Sequence, residues 1–205
     1  MGSPDQPAPK HAIEALRKAV LDPEASRYSR ADGDVEKRLR QAIANWYKGR
    51  FNVTLDPNTE VLPLIGSKEG IAHLCLAYLN NEDVCLVPTP TYPVHFNGPV
   101  VAGGILHDIP LKQENGYLPD WKAIPADVVK AAKLMFFSYP YNPTGAVADI
   151  KFFEDTLKWA QDKNIIVVSD LAYSDFVFGS HRAPSLLETK GARDFTIEFH
   201  TMSKS

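Results

Sequence analysis

From residue 60 onward, short apolar runs alternate with segments of helical period, and this alternation restricts the possible folds more than any other feature of the chain. Residues 60–65, 84–87, 105–111, 134–137 and 165–168 have the composition of strands. Between them, Ile71, Leu74 and Tyr78 mark one helix face. Trp121, Ile124, Val128 and Val129 mark a second, interrupted by Pro125, and Phe152, Phe153, Leu157, Trp159 and Ala160 mark a third. Strands separated by helices predict an α/β fold with a mostly parallel, doubly wound sheet, and such sheets gather ligands at the carboxyl ends of their strands.

The first 50 residues read differently. Pro7 and Pro9 stiffen a lead-in to a helix carrying Ile13, Leu16 and Val20, which Asp22-Pro23 stops. Tyr28 lies in a polar, Gly33-containing loop. Val35, Leu39, Ile43 and Trp46 then trace a second helical stripe, expected to pack on a core.

Charge narrows the partners. With 22 basic and 25 acidic residues, the net charge of -3 provides no basic footprint for nucleic acid and no polybasic run for a lipid surface, leaving small molecules or another protein. Cys75 and Cys85 lie outside metal or redox spacing and are expected to be small core residues in a reducing compartment. The start lacks a basic-then-apolar leader pattern, which predicts a cytoplasmic protein without a membrane anchor.

Candidate chemistry falls at the strand ends. Gly66-Ser67-Lys68-Glu69-Gly70 is a glycine turn opening a helix, whose unpaired N–H groups suit a phosphate; a plain Ser67 cap accounts for it equally well. Three prolines stiffen the loop around Tyr92, which either stacks on a flat ligand or plugs the loop onto the core. Pro140 and Pro143 bracket Asn142, so that its amide can be aimed with little entropy left to lose; turn formation alone also explains the Asn-Pro and the Gly. Asp170 follows an apolar run and needs a cationic partner if buried, or else caps the next turn; no Arg or Lys is an evident partner. Residues 195–199 read as a short buried strand delivering Lys204, which taken alone reads as a solvated surface lysine.

In their order and separations, Asn142-Pro143-Thr144-Gly145, Asp170-Leu171-Ala172-Tyr173 and Thr201-Met202-Ser203-Lys204 resemble the class I/II aminotransferases of pyridoxal-phosphate fold type I. The glycine turn at 66–70 and Gly191-Ala192-Arg193-Asp194 are most similar to the LL-diaminopimelate and alanine aminotransferase branch. The resemblance spans the chain. It implies an aminotransferase-type large domain over residues 26–205, preceded by a lead-in and helix at 1–25.

The resemblance also implies roles. Lys204 would hold pyridoxal 5'-phosphate as a Schiff base and then shuttle the substrate proton. Asp170 would pair with the ring nitrogen, Tyr173 and Asn142 would bond the phenolic oxygen, and Tyr92 would stack on the ring. Ser67, Lys68, Thr201 and Ser203 would bind the phosphate, and Tyr28 would reach the neighbouring site of a homodimer. The implied reaction moves an amino group from an amino acid to a 2-oxo acid. A C–S β-lyase or a non-catalytic module on the same fold would keep the same cofactor residues. Family chains continue past the lysine into a small domain carrying the arginine that grips the substrate carboxylate. The expectation is therefore a large domain incomplete at its C-terminus, with that small domain absent and limited stability alone.

Overall fold

A computed structural model of the chain describes residues 4–28 and 33–204. The chain divides into two compact units, Ser3–Pro63 and Leu64–Lys204.

In the first unit, helix α1 (Lys10–Ala19) starts after Pro9, and Arg17 bonds Glu14 one turn back. Helix α2 (Asp34–Phe51) has Asp34 and Glu36 in its first turn and Lys48 and Arg50 in its last, complementing the helix dipole, and Asn52 closes it in the left-handed conformation. The expected core stripe is only partly right. Val35 and Leu39 are exposed, and the buried line is Ala44, Tyr47 and Phe51, with Trp46 edge-on to the two rings. The aromatic pair at i and i+4 bury more area than the smaller residues of the first turns, and so set the inner face.

The second unit holds a five-stranded parallel sheet, β1 (Val84–Thr89), β2 (Ile105–Pro110), β3 (Ala132–Phe137), β4 (Ile166–Asp170) and β5 (Thr196–Phe199), in the order β2-β1-β3-β4-β5. Helices α3 (Ser67–Tyr78), α4 (Val94–Val101), α5 (Ala126–Ala131) and α6 (Ile150–Asp162) connect or cover it. Because side chains alternate along each strand, the sheet has two cores. Leu86, Met135, Phe137 and Val167 join Phe153 and Leu157 of α6 on one face, while Cys85, Val87, Leu134, Phe136, Val168 and Phe199 join Ile71 and Cys75 of α3 on the other. Both cysteines are buried and unbridged. Burial raises the Cys75 thiol to about 11 and pushes Cys85 well above its ordinary value, which keeps both inert.

Three expectations need correction. Residues 60–65 form no strand: Pro63 has no N–H to give a ladder, and Leu62 and Ile65 face solvent. Tyr78 is exposed, the inner face of α3 being Gly70, Ile71 and Cys75. The strand leading to Lys204 is not buried along its length but is the sheet edge, paired with β4 alone among the described residues, with Phe199 its one buried side chain. Pro125 separates a short 3-10 turn (Trp121–Ala123) from α5, as its position in the apolar pattern predicts. Among the described residues, no helix is long and apolar enough to cross a membrane.

Candidate active site

Glycines set the approach. Gly66 precedes α3 at φ +87, a conformation that side chains disfavour, and makes Ser67 the first residue of the helix instead of its cap. No side chain caps the helix start, so the N–H groups of its first turn remain available to an anion. A Cβ at Gly70 would lie 2.4 Å from Leu64 and 2.5 Å from Phe199, so glycine is what allows α3 to lie directly against β5.

At the carboxyl end of β4, Asp170 is 6% exposed and points to the face covered by α3 and α4. Its Oδ2 lies 3.0 Å from Nε2 of His95, which is 2% exposed, and the imidazole stacks on Phe136 at 4.7 Å. An ionised carboxylate only accepts, so Nε2 carries the hydrogen and donates; Thr91 Oγ1 lies 2.7 Å from Nδ1 and donates to it when the ring is neutral. The other carboxylate oxygen, Oδ1, is buried without a hydrogen-bond partner. A buried acceptor left in this way is costly, and it marks the direction in which the site calls for a donor or cation.

His95 was not found by sequence reasoning. The available signal was a polar residue inside the apolar run Val94-His95-Phe96, three positions after Tyr92 and therefore one helical turn from it. Tyr92 is half-buried at the end of β1, edge-on to His95, with the Lys68 ammonium 5.5 Å from its ring centre.

The loop after β3 is fixed from both sides. Ser138 Oγ donates to the Asp170 carbonyl at 2.9 Å, and the Tyr141 hydroxyl donates to the Pro88 carbonyl at 2.8 Å. Burial pushes the Tyr141 phenol up to about 12, against the opposing pull of Thr91, so it remains a donor. Asn142, presented by this loop, donates from Nδ2 to the Tyr173 hydroxyl at 3.3 Å. Desolvation, and then the nearby Asp170 and Tyr92, raise the Tyr173 phenol above its ordinary value, while the Asn142 bond acts in the opposite sense.

Lys204 ends a 3-10 turn after β5, with its Nζ 5.8 Å from the centre of the Tyr173 ring. In that turn the Thr201 hydroxyl donates to Ser203 Oγ at 2.9 Å and accepts from the Ser203 N–H. Tyr173 is therefore the residue on which the site converges, touching Asn142 and Lys204 and sensing Asp170 and Tyr92. Lys68 enters through Tyr92. Ser67 shares its helix start with Lys68, and Thr201 and Ser203 share the turn of Lys204. Tyr28 is 99% exposed and belongs to the N-terminal unit.

Residues 1–205 match the model of aminotransferase class I and II. An LL-diaminopimelate aminotransferase of Aquifex aeolicus is 48% identical over the whole chain, which covers 52% of that relative. BacF from Bacillus subtilis in its substrate-bound structure superposes with a TM-score of 0.93 at 42% identity, over 100% of this chain and 51% of that one. A probable N-succinyldiaminopimelate aminotransferase from Thermus thermophilus gives 0.91 at 39%, covering 99% of this chain and 54% of its own. The chain spans about half the length of the curated relatives it matches. With the family model matched from end to end, the chain belongs to the class I and II aminotransferases.

Proposed function

We propose that this chain forms the cofactor-binding part of a transaminase that moves an amino group from an amino acid to a 2-oxo acid, of the LL-diaminopimelate or alanine/glutamate type. The family is pyridoxal-phosphate dependent. The observation that carries the reading is Asp170: one oxygen is held by His95 and the other, buried and without a partner, fits the protonated ring nitrogen of that cofactor. The names of the similar proteins, LL-diaminopimelate and N-succinyldiaminopimelate aminotransferase, support a diaminopimelate-like donor first.

When bound, pyridoxal phosphate supplies an aldehyde that takes up the amino group and a ring that draws electrons from Cα. Asp170 holds the ring nitrogen protonated, and His95 holds Asp170 in orientation and charge. Tyr173, its hydroxyl oriented by Asn142, donates to the phenolic oxygen together with the Asn142 amide. Tyr92 covers one face of the ring. The N–H groups of Ser67 and Lys68 and the hydroxyls of Thr201 and Ser203 would hold the phosphate, and the Lys204 amine would hold the aldehyde carbon. The Lys204 amine would also serve as the base that takes the proton from the substrate Cα and returns it.

In the same reading the protein works in the cytoplasm as a homodimer, with the exposed Tyr28 reaching the neighbouring site. Residues 1–25 are a lead-in and helix, and 26–205 the cofactor domain. Incubation with pyridoxal phosphate and borohydride should fix label on Lys204, and paired amino and 2-oxo acids should exchange amino groups. Lys204→Ala should abolish the label and lower exchange by about 10⁴-fold. Label retained in that variant, or release of pyruvate and ammonia in place of exchange, would contradict the assignment.

A further inference from the structure

On the opposite face of the sheet from Asp170, one strand over, lies a second ordered carboxylate, that of Glu198. Glu198 and Ser169 are register partners on β5 and β4, and register partners project to the same side. Glu198 Oε2 accepts from Ser169 Oγ at 2.9 Å and from the Leu186 N–H at 3.1 Å, and Oε1 accepts from Ser185 Oγ at 2.6 Å. The segment it grips is itself braced. Arg182 pairs with Glu188 through its Nη1 and Nη2, Glu188 accepts the Ser185 N–H, and Ser185 Oγ caps the Leu187 N–H.

β5 is four residues long and meets β4 at four register positions, so few backbone bonds between the two fix its register. Each of the three donors to Glu198 forms a charge-assisted bond to a single carboxylate on that strand. One of them, Ser169, directly precedes Asp170, and Glu198 stands six residues before Lys204 in the strand and turn that carry the lysine.

We propose that Glu198 is a positioning residue that locks β5 against β4 and the 182–188 brace, and so sets where the Lys204 amine stands relative to the Asp170 carboxylate. The inference rests on the reading that Lys204 holds pyridoxal phosphate, and it adds a residue that never touches the cofactor.

The test compares Glu198→Ala and Glu198→Gln with the unaltered full-length protein. Three quantities are read: the melting temperature of the cofactor-free form, the Kd for pyridoxal phosphate, and the rate of borohydride-fixed labelling of Lys204 per bound cofactor. Alanine should raise Kd by about tenfold and slow the labelling, whereas glutamine, which keeps an acceptor, should recover most of the loss. A Kd and labelling rate equal to those of the unaltered protein, whatever the melting temperature, would show an ordinary structural tie and overturn the inference. If the alanine variant does not fold, Glu198→Gln and Ser169→Ala decide: each should raise Kd by about threefold, and no change in both overturns it. If the unaltered protein takes no label on Lys204, the underlying reading fails, and this inference with it.

Discussion

The two faces of the sheet near its β4–β5 edge carry one ordered carboxylate each, and they are finished differently. Glu198 meets three donors, two hydroxyls and a backbone N–H, from two separate parts of the chain. Asp170, in the register position next to Ser169, has one donor on one oxygen and nothing on the other. Folding alone rewards the first arrangement, because a buried acceptor without a partner works against stability. The second makes sense only if a ligand completes it. Under the proposed function the contrast separates a group that holds the scaffold together from one that a ligand completes, although both are acids at neighbouring positions of the same sheet.

The sharpest way to break this comparison is to neutralise the carboxylate on the α3 side. Asp170→Asn keeps the shape and should lower amino transfer by about 10²–10³-fold, measured as kcat with saturating cofactor, while the melting temperature of the cofactor-free form changes little or rises. A fall in stability with activity intact would mean that Asp170 is scaffold after all.

Next in size is His95→Phe. It leaves Asp170 Oδ2 without its donor, and should cost the fold about 1–3 kcal/mol, read by urea unfolding, as well as weakening cofactor binding. Thr91→Val, which leaves the His95–Asp170 bond in place and removes the Thr91 contacts to Nδ1 and to the Tyr141 phenol, should do the same to a smaller extent.

The smallest effect concerns alkaline pH. The Tyr141 phenol titrates near 12 in the fold against 10 for a free tyrosine, a raised value, so its contribution is complete below pH 10 and is lost as pH rises through about 12. Melting temperature should fall over that window, and Tyr141→Phe should flatten part of the fall. A profile unchanged by the substitution would mean that the loop holding Asn142 is not anchored through this hydroxyl.

Much of this was legible beforehand, and the reasons differ by element. Strands β1, β3 and β4 are covered on both faces, so their apolar runs reported them directly, and the ordered tetrapeptides around Asn142, Asp170 and Lys204 marked one site because the sheet brings all three to its carboxyl edge. The run at 60–65 misled because apolar composition does not reveal whether a neighbouring strand is there to pair with it, and Pro63 should have weighed more. His95 escaped because its partner is 75 positions away, a pairing created by the order of strands and not by any local pattern. Glu198 escaped for the same reason, since its donors come from β4 and from a turn whose capping-box pattern, Ser185 to Glu188, reports only its own closure. The α2 stripe was misjudged because period shows which residues share a face without showing which face is covered.

Gly70 carries a final consequence. A single missing methyl is what lets the helix that opens at Ser67 and Lys68 rest on Phe199, five residues ahead of Lys204. The anion-facing end of that helix and the amine-bearing turn are therefore mechanically in series. Even alanine at this position would wedge the two apart, and under the proposed function that one movement would loosen both the hold on phosphate and the reach of the lysine.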